Sequence, residues 1–255
     1  MKKWNAKNLP VFVAVLGAAA AVLRWMMYAF LVDDRLLLPE NHFLQWLVAG
    51  LSVAACVMVI LSVRKLDGHP GYRKNFGPSL QAAMGMALAA VGIGVTVLTE
   101  RTPSGGMFDL PWRVLGAAAA VCFCWMAYDR FRGKKPFFLC YVEVCIFLAI
   151  HMLNNYQYWS GNPQTMDFVF SLVGCVALML FAYHQAAFCV GLGKRRMQLF
   201  FGLMAGFLCI AALSRTDYWY LYCGCGAWAL TDLCRFTPVP KPQPKKESEA
   251  GDASA

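Results

Sequence analysis

Eight apolar runs, at 11–32, 43–63, 78–99, 112–129, 137–158, 167–190, 197–213 and 218–234, alternate with short polar connections along the chain. A helix rising ~1.5 Å per residue needs about 20 residues to cross the hydrocarbon of a bilayer, and these runs approach or exceed that length with few charges. The pattern predicts an all-α, polytopic integral membrane bundle of eight transmembrane helices, occupying residues 1–236. The remaining stretch, 237–255, is rich in Pro, Lys and Glu and has little to bury. It is expected to be a disordered cytosolic tail. The first run follows a basic start, "MKKWNAKNLP", but is too long for a signal peptide, and Trp25, Met26 and Met27 make a poor cleavage site. It reads as a permanent helix.

Composition sharpens this picture. Of the 255 residues 59% are hydrophobic and only 15% charged, against about 25% charged in soluble domains. The net charge of +9 does not signal nucleic acid, because the basic residues sit in the connections. Lys2, Lys3 and Lys7 precede the first run, and Arg64, Lys65, Arg73 and Lys74 follow the second. Arg130, Arg132, Lys134 and Lys135 follow the fourth, and Lys194, Arg195 and Arg196 the sixth. Arg235, Lys241, Lys245 and Lys246 follow the eighth. The intervening connections are richer in acids. Basic connections stay in the cytosol, so both termini are expected there, in a multi-pass protein of the plasma membrane. Trp4, Trp46, Trp112, Trp159 and Trp219 fall at expected helix ends, as interfacial anchors would.

The eleven cysteines lie in or at the ends of the apolar runs and form no disulfide framework. The C-x-C pairs Cys122/Cys124 and Cys223/Cys225 point to nearly opposite sides of a helix, so neither clamps a metal unaided. No metal or other cofactor is expected. The sequence contains no H-E-x-x-H, G-x-S-x-G or P-loop, and its G-x-G fragments never complete G-x-G-x-x-G. Small residues mark close helix approaches: Gly202/Gly206, Ala83/Ala87 and Ala90/Gly94, read as internal seams rather than dimer contacts. The likeness of 16–30 to 115–131 raises, weakly, an inverted repeat relating helices 1–3 to helices 4–6.

Candidate chemistry lies in polar residues at membrane depth. Counting ~1.5 Å per residue puts Glu143, His184 and Asp232 in one layer near the cytosolic third, beside Tyr183, Gln185 and Thr231. Arg24 and His151 fall in a second, outer layer, with Asn154, Asn155 and Thr96 a turn beyond. Glu143 and Asn154 are three turns apart and share a face. Ionisable groups inside a membrane mark solute or ion paths, or else structural hydrogen-bond knots. Glu143, His184, Asp232, Arg24, His151, Asn154 and Asn155 are therefore the expected substrate- or ion-binding residues. Arg24 is expected to turn inward toward a carboxylate, with snorkelling toward Asp33 or Asp34 as the alternative.

The expected function is a permease or substrate-binding membrane subunit for a small polar solute or ion. The alternatives are a non-catalytic membrane partner with structural polar layers, then an intramembrane enzyme. Expected partners are the lipid bilayer, a small polar solute or ion, and a protein docking on loop 64–77. That loop otherwise reads as a solvated connection.

Overall fold

The computed structural model describes residues 8–31, 43–64, 71–100, 109–160 (side chains to Tyr156), 166–214 (side chains from Phe168) and 216–234, the Lys74 side chain excepted. The expected tail, 237–255, lies outside them. Helices α1 (Leu9–Leu31), α2 (Phe43–Val63), α4 (Leu80–Thr99) and α5 (Asp109–Phe131) follow the first four apolar runs, with the short α3 (Tyr72–Asn75) between α2 and α4. Then come α6 (Phe138–Ser160), α7 (Met166–Cys189), α8 (Arg195–Ala212) and α9 (Trp219–Cys234). Seven of these, all but α3 and α9, are long and apolar enough to cross a membrane. The 16 residues of α9 cover only about 24 Å, short of the ~30 Å hydrocarbon thickness.

The surface is apolar where a soluble protein would be polar. Val11, Val91, Val121, Trp125 and Leu98 all point outward from mid-helix or helix ends, with Leu98 82% exposed. Exposed aliphatic surface on this scale has no stable place in water. The fold is that of a membrane protein.

Inside, α4 to α9 close a ring in chain order, with α9 returning to α4; α1 and α2 lie outside it, packed on α8. Helices 1–3 of the sequence, which are α1, α2 and α4, are therefore divided between the ring and its outside. The tightest joint is α4 against α9. A Cβ at Gly92 would collide with the Tyr220 carbonyl, and one at Gly224 would stand 2.6 Å from the carbonyl oxygen of Leu88. Expected small-residue seams are met in part. Gly202 and Gly206 face Phe181, Leu233 and Leu230 inside the bundle, whereas Ala87 is exposed and Gly94 faces open space. The working stripe on α4 is Gly85, Ala89 and Gly92, one phase round from the expected one.

Two chain turns shape one end of the ring. Gly133 (φ 67°) reverses the chain between α5 and α6, and Gly191 (φ 82°) ends α7. At Gly191 the Leu192 amide donates back to the Ala187 carbonyl at 2.9 Å, the bond that a left-handed residue makes possible at a helix C-terminus. With Lys134, Lys135, Lys194 and Arg195 nearby in sequence, this is the basic end of the ring.

Candidate functional site

At the basic end, five elements converge on one buried cluster. The interior phase of α5 runs Trp112, Gly116, Ala119, Phe123, Met126, and the next position in that spacing is Arg130. Helix α5 does not stop at residue 129, as the hydropathy suggested. It continues to Phe131 and carries Arg130 inward, 1% exposed. There its Nη2 lies 2.9 Å from Oδ1 of Asp232 on α9, an ion pair set off the hydrogen-bond line. Gln185 of α7 donates through Nε2 to the other carboxylate oxygen. The guanidinium also lies 4.7 Å from the Phe76 ring centroid and 6.0 Å from that of Tyr72. Tyr141 of α6 lies within electrostatic reach of Arg130, Asp232 and Tyr72.

Tyr72 and Phe76 come from the loop expected to be solvated. They are instead 5% and 3% exposed, with Asn75 at 0%. An aromatic pair at i and i+4 gives α3 an apolar side, and the edge of Phe188 packs on Phe76 at 5.2 Å. Asn75 in turn accepts from Arg195 at the start of α8, 3.2 Å. That part of loop 64–77 is folded into the bundle, leaving Arg73 outward. Burial pushes the Tyr72 phenol well above its usual pKa, against the opposing pull of Arg130. The hydroxyl therefore stays protonated and available as a donor.

Several polar atoms in this region have no hydrogen-bond partner among the described residues: Arg130 Nε and Nη1, the Tyr72 and Tyr141 hydroxyls, Gln185 Oε1 and both side-chain polar atoms of Gln198. Buried polar groups rarely stay unmatched, since each costs about 1–3 kcal/mol. Next to the cluster lies a cavity of about 1000 Å³, with Tyr72, Phe188 and Cys189 in its wall and Arg73, Asp129 and Lys135 among its charged residues. Tyr72 belongs to both.

The residues expected to share this layer separate. Asp232 and Gln185 are in it. His184, one residue before Gln185 and so turned by ~100°, is half-buried and stacks on Phe201 at 5.4 Å. Tyr183 points outward, and Thr231 bonds back to its own helix at Ala227. Glu143 is half-buried on the flank of α6, on the side toward Cys122 of α5, with one carboxylate oxygen unmatched among the described residues. The cation that meets Asp232 is Arg130, not His184.

The second layer sits at the other end of the ring, and it is dense. His151 is fully buried at the centre of the interior face of α6, about 80–90° from Glu143. Its ring lies against Trp112 (centroids 6.2 Å), Phe147 (6.2 Å), Tyr218 (4.6 Å) and Tyr222 (6.4 Å). The Trp112 indole donates to His151 Nδ1 at 3.2 Å. An indole N–H can only donate, so Nδ1 is the acceptor and the imidazole is neutral with its proton on Nε2. Asn155 donates to the His151 carbonyl (2.8 Å) and accepts from the Tyr218 hydroxyl (2.7 Å). Asn154 is 1% exposed beside them.

Trp112, expected as an interfacial anchor, is therefore a core residue, while Trp46 and Trp219 are exposed as anchors would be. Trp4 and the side chain of Trp159 lie outside the described residues. Arg24 does turn inward, 1% exposed. Nη1 donates to the Ala211 carbonyl at 2.7 Å, and the guanidinium caps the Phe170 ring at 4.4 Å. Ala211 is in the last turn of α8, where exposed carbonyls and the helix dipole favour a cation.

The two layers thus differ in kind. One is a packed aromatic and amide lock; the other is a donor-rich cluster beside a cavity. Comparison with known protein families, curated proteins and solved structures gives no match to this chain. The chemistry of the basic end must carry the functional reading. The residues that hydropathy missed there are Arg130, Tyr72, Tyr141, Asn75, Arg195 and Gln198. Helical phase would have found Arg130, and the Tyr72/Phe76 spacing would have flagged α3.

Proposed function

We propose that the protein is a multi-pass protein of the plasma membrane that takes up a small polar solute or ion at its basic end, as a permease or a substrate-binding membrane subunit. The observation that carries this reading is the cavity of about 1000 Å³ whose lining residue Tyr72 also packs by the buried Arg130–Asp232–Gln185 cluster. Ionisable groups at membrane depth commonly border a solute path, and a concave site with a few convergent polar groups is what a small ligand requires. In this reading Asp232, Arg130 and Gln185 lie behind Tyr72 and hold that part of the site in place. Glu143 and His184 flank it. Arg24, His151, Asn154 and Asn155 form the closure at the opposite end of the ring.

The proposed topology has eight spans, α9 being the eighth, with both termini and the basic end in the cytosol. It rests on the alternation of basic and acidic connections. Single cysteines on a background stripped of the native ones test it. Positions in 64–77 and 191–196 should resist an impermeant thiol reagent in intact cells, while positions in 101–110 and 160–165 should react. Labelling of 191–196 from outside would break the eight-span arrangement.

The binding reading is tested by native mass spectrometry of the protein released from mild detergent. A small bound species should accompany the parent and be lost from Val190→Trp, which fills the cavity from its rim. If the parent carries no bound species and no polar solute raises its melting temperature, the non-catalytic membrane-partner reading replaces this one.

A further inference from the structure

The cavity at the basic end is lined by both charged and aromatic residues. Its charged residues are Arg73 and Lys135, both exposed, and Asp129. Two cations against one carboxylate leave the lining with a surplus positive charge. Its aromatic residues include Tyr72, Phe137, Phe138 and the buried Phe188. Phe137 and Phe138, at the start of α6, remain partly open to the apolar surroundings of the bundle, at 58% and 38% exposed.

Behind Tyr72 stands the Arg130 guanidinium, 6.0 Å from the Tyr72 ring centroid, enclosed and within electrostatic reach of the Tyr72 and Tyr141 phenols. Asp232 is already engaged by Arg130 and Gln185. None of these enclosed groups is left to balance the lining cations, so what the cavity lacks is an acceptor that carries negative charge.

We propose that this cavity binds an amphiphilic organic anion, a phosphate group bearing an apolar body. The phosphate oxygens take donors from Arg73 and Lys135, and the apolar body lies along Phe137, Phe138 and Phe188. Arg130 is balanced by Asp232, and Asp129 offsets one of the two lining cations, so the pull on the head group is the remaining positive charge of Arg73 and Lys135. Charge-assisted bonds from Arg and Lys to phosphate are short and strong, and basic pockets between helices at the cytosolic side suit lipid phosphates. A membrane lipid and a free phosphate ester offer the same chemistry here. The assignment rests on the solute-binding reading above and gives its ligand a class.

The test uses the full chain in nanodiscs of equal phosphatidylglycerol and phosphatidylcholine, with hexyl phosphate, inorganic phosphate and the hexyltrimethylammonium cation as soluble probes. Hexyl phosphate should raise the melting temperature, inorganic phosphate should act only at higher concentration, and the cation should have no effect. Arg73→Gln with Lys135→Gln should weaken hexyl phosphate binding about tenfold or more, the scale of losing charge-assisted contacts. Both positions are exposed, and each single variant repeats the measurement should the pair fold poorly. Native mass spectrometry then separates the sources. Enriched phosphatidylglycerol displaced by hexyl phosphate makes the occupant a lipid, and hexyl phosphate binding without lipid enrichment makes it a free ester. Hexyl phosphate that fails to bind, or that binds both single variants and the double variant as well as the parent, overturns the proposal. If the cation binds in its place, the solute-binding reading survives with the wrong ligand class. If no probe binds and no lipid is enriched, both fall.

Discussion

Asp232→Leu will destabilise the detergent-solubilised protein severely, and adding Arg130→Met will recover much of the loss. The pair is buried, with side-chain exposures of 1% and 0%. Removing the carboxylate strands a guanidinium whose Nε and Nη1 already lack partners among the described residues. Breaking a buried pair from one side costs about 3–5 kcal/mol, whereas replacing both members with apolar side chains of similar volume is often neutral. Gln185 also loses the acceptor for its amide, which the double variant does not restore. Recovery should therefore be large but incomplete. The check is a double-mutant cycle on thermal melts or on midpoints of unfolding in a denaturing detergent. Additive losses would mean that the two side chains do not depend on each other, and that the ion pair is not what holds α5 to α9 at the basic end.

The same pair separates what the sequence made legible from what it hid. Helix positions followed from hydropathy to within a few residues, because length and apolar content are what a bilayer demands. Phase was harder to see. Depth along a helix follows from counting, but direction around it depends on which neighbours pack there, and neighbouring residues differ by ~100°. His184 and Gln185 have the same depth; only Gln185 reaches Asp232. Glu143 and His151 are on one helix, yet the interior face is centred on His151.

Arg130 shows a different blind spot. A hydropathy average treats an arginine at the end of a run as the point where the membrane stops, and so groups Arg130 with Arg132, Lys134 and Lys135 as a topology signal. Its spacing from Met126 and Phe123 places it on the buried stripe instead. Trp112, at the other end of the same stripe, reads as an anchor by its place at a run end yet is buried. Tyr72 and Phe76 were hidden because their connection is rich in turn formers and charges; two aromatics are enough to fold a single turn back into the bundle.

The α4–α9 joint yields the other large effect. Gly92→Leu and Gly224→Val should each prevent accumulation of folded protein, while Gly94→Leu should be close to neutral. All three glycines sit in helices, where loss of backbone freedom makes glycine unfavourable by about 0.5–1 kcal/mol relative to alanine, so propensity alone would favour every one of these changes. Geometry reverses the sign at two of them. A Cβ at Gly224 would stand 2.6 Å from the Leu88 carbonyl oxygen and 3.1 Å from the Ala89 Cα. At Gly92 the obstacle is the Tyr220 carbonyl. These are backbone atoms in a helix and cannot rotate aside, so the helices must separate. Overpacking a core commonly costs about 1–3 kcal/mol when side chains can shift, and a rigid backbone contact puts these two variants above that range. Separation would also move Asp232, two turns beyond Gly224 on α9, away from Arg130. Gly94 meets nothing within 4 Å, so a leucine there projects into open space. Folded yield and melting temperature of the three variants, measured side by side, decide the matter. A stable Gly92→Leu, or a Gly94→Leu as damaging as its neighbour, would show that α4 presents a different face to α9.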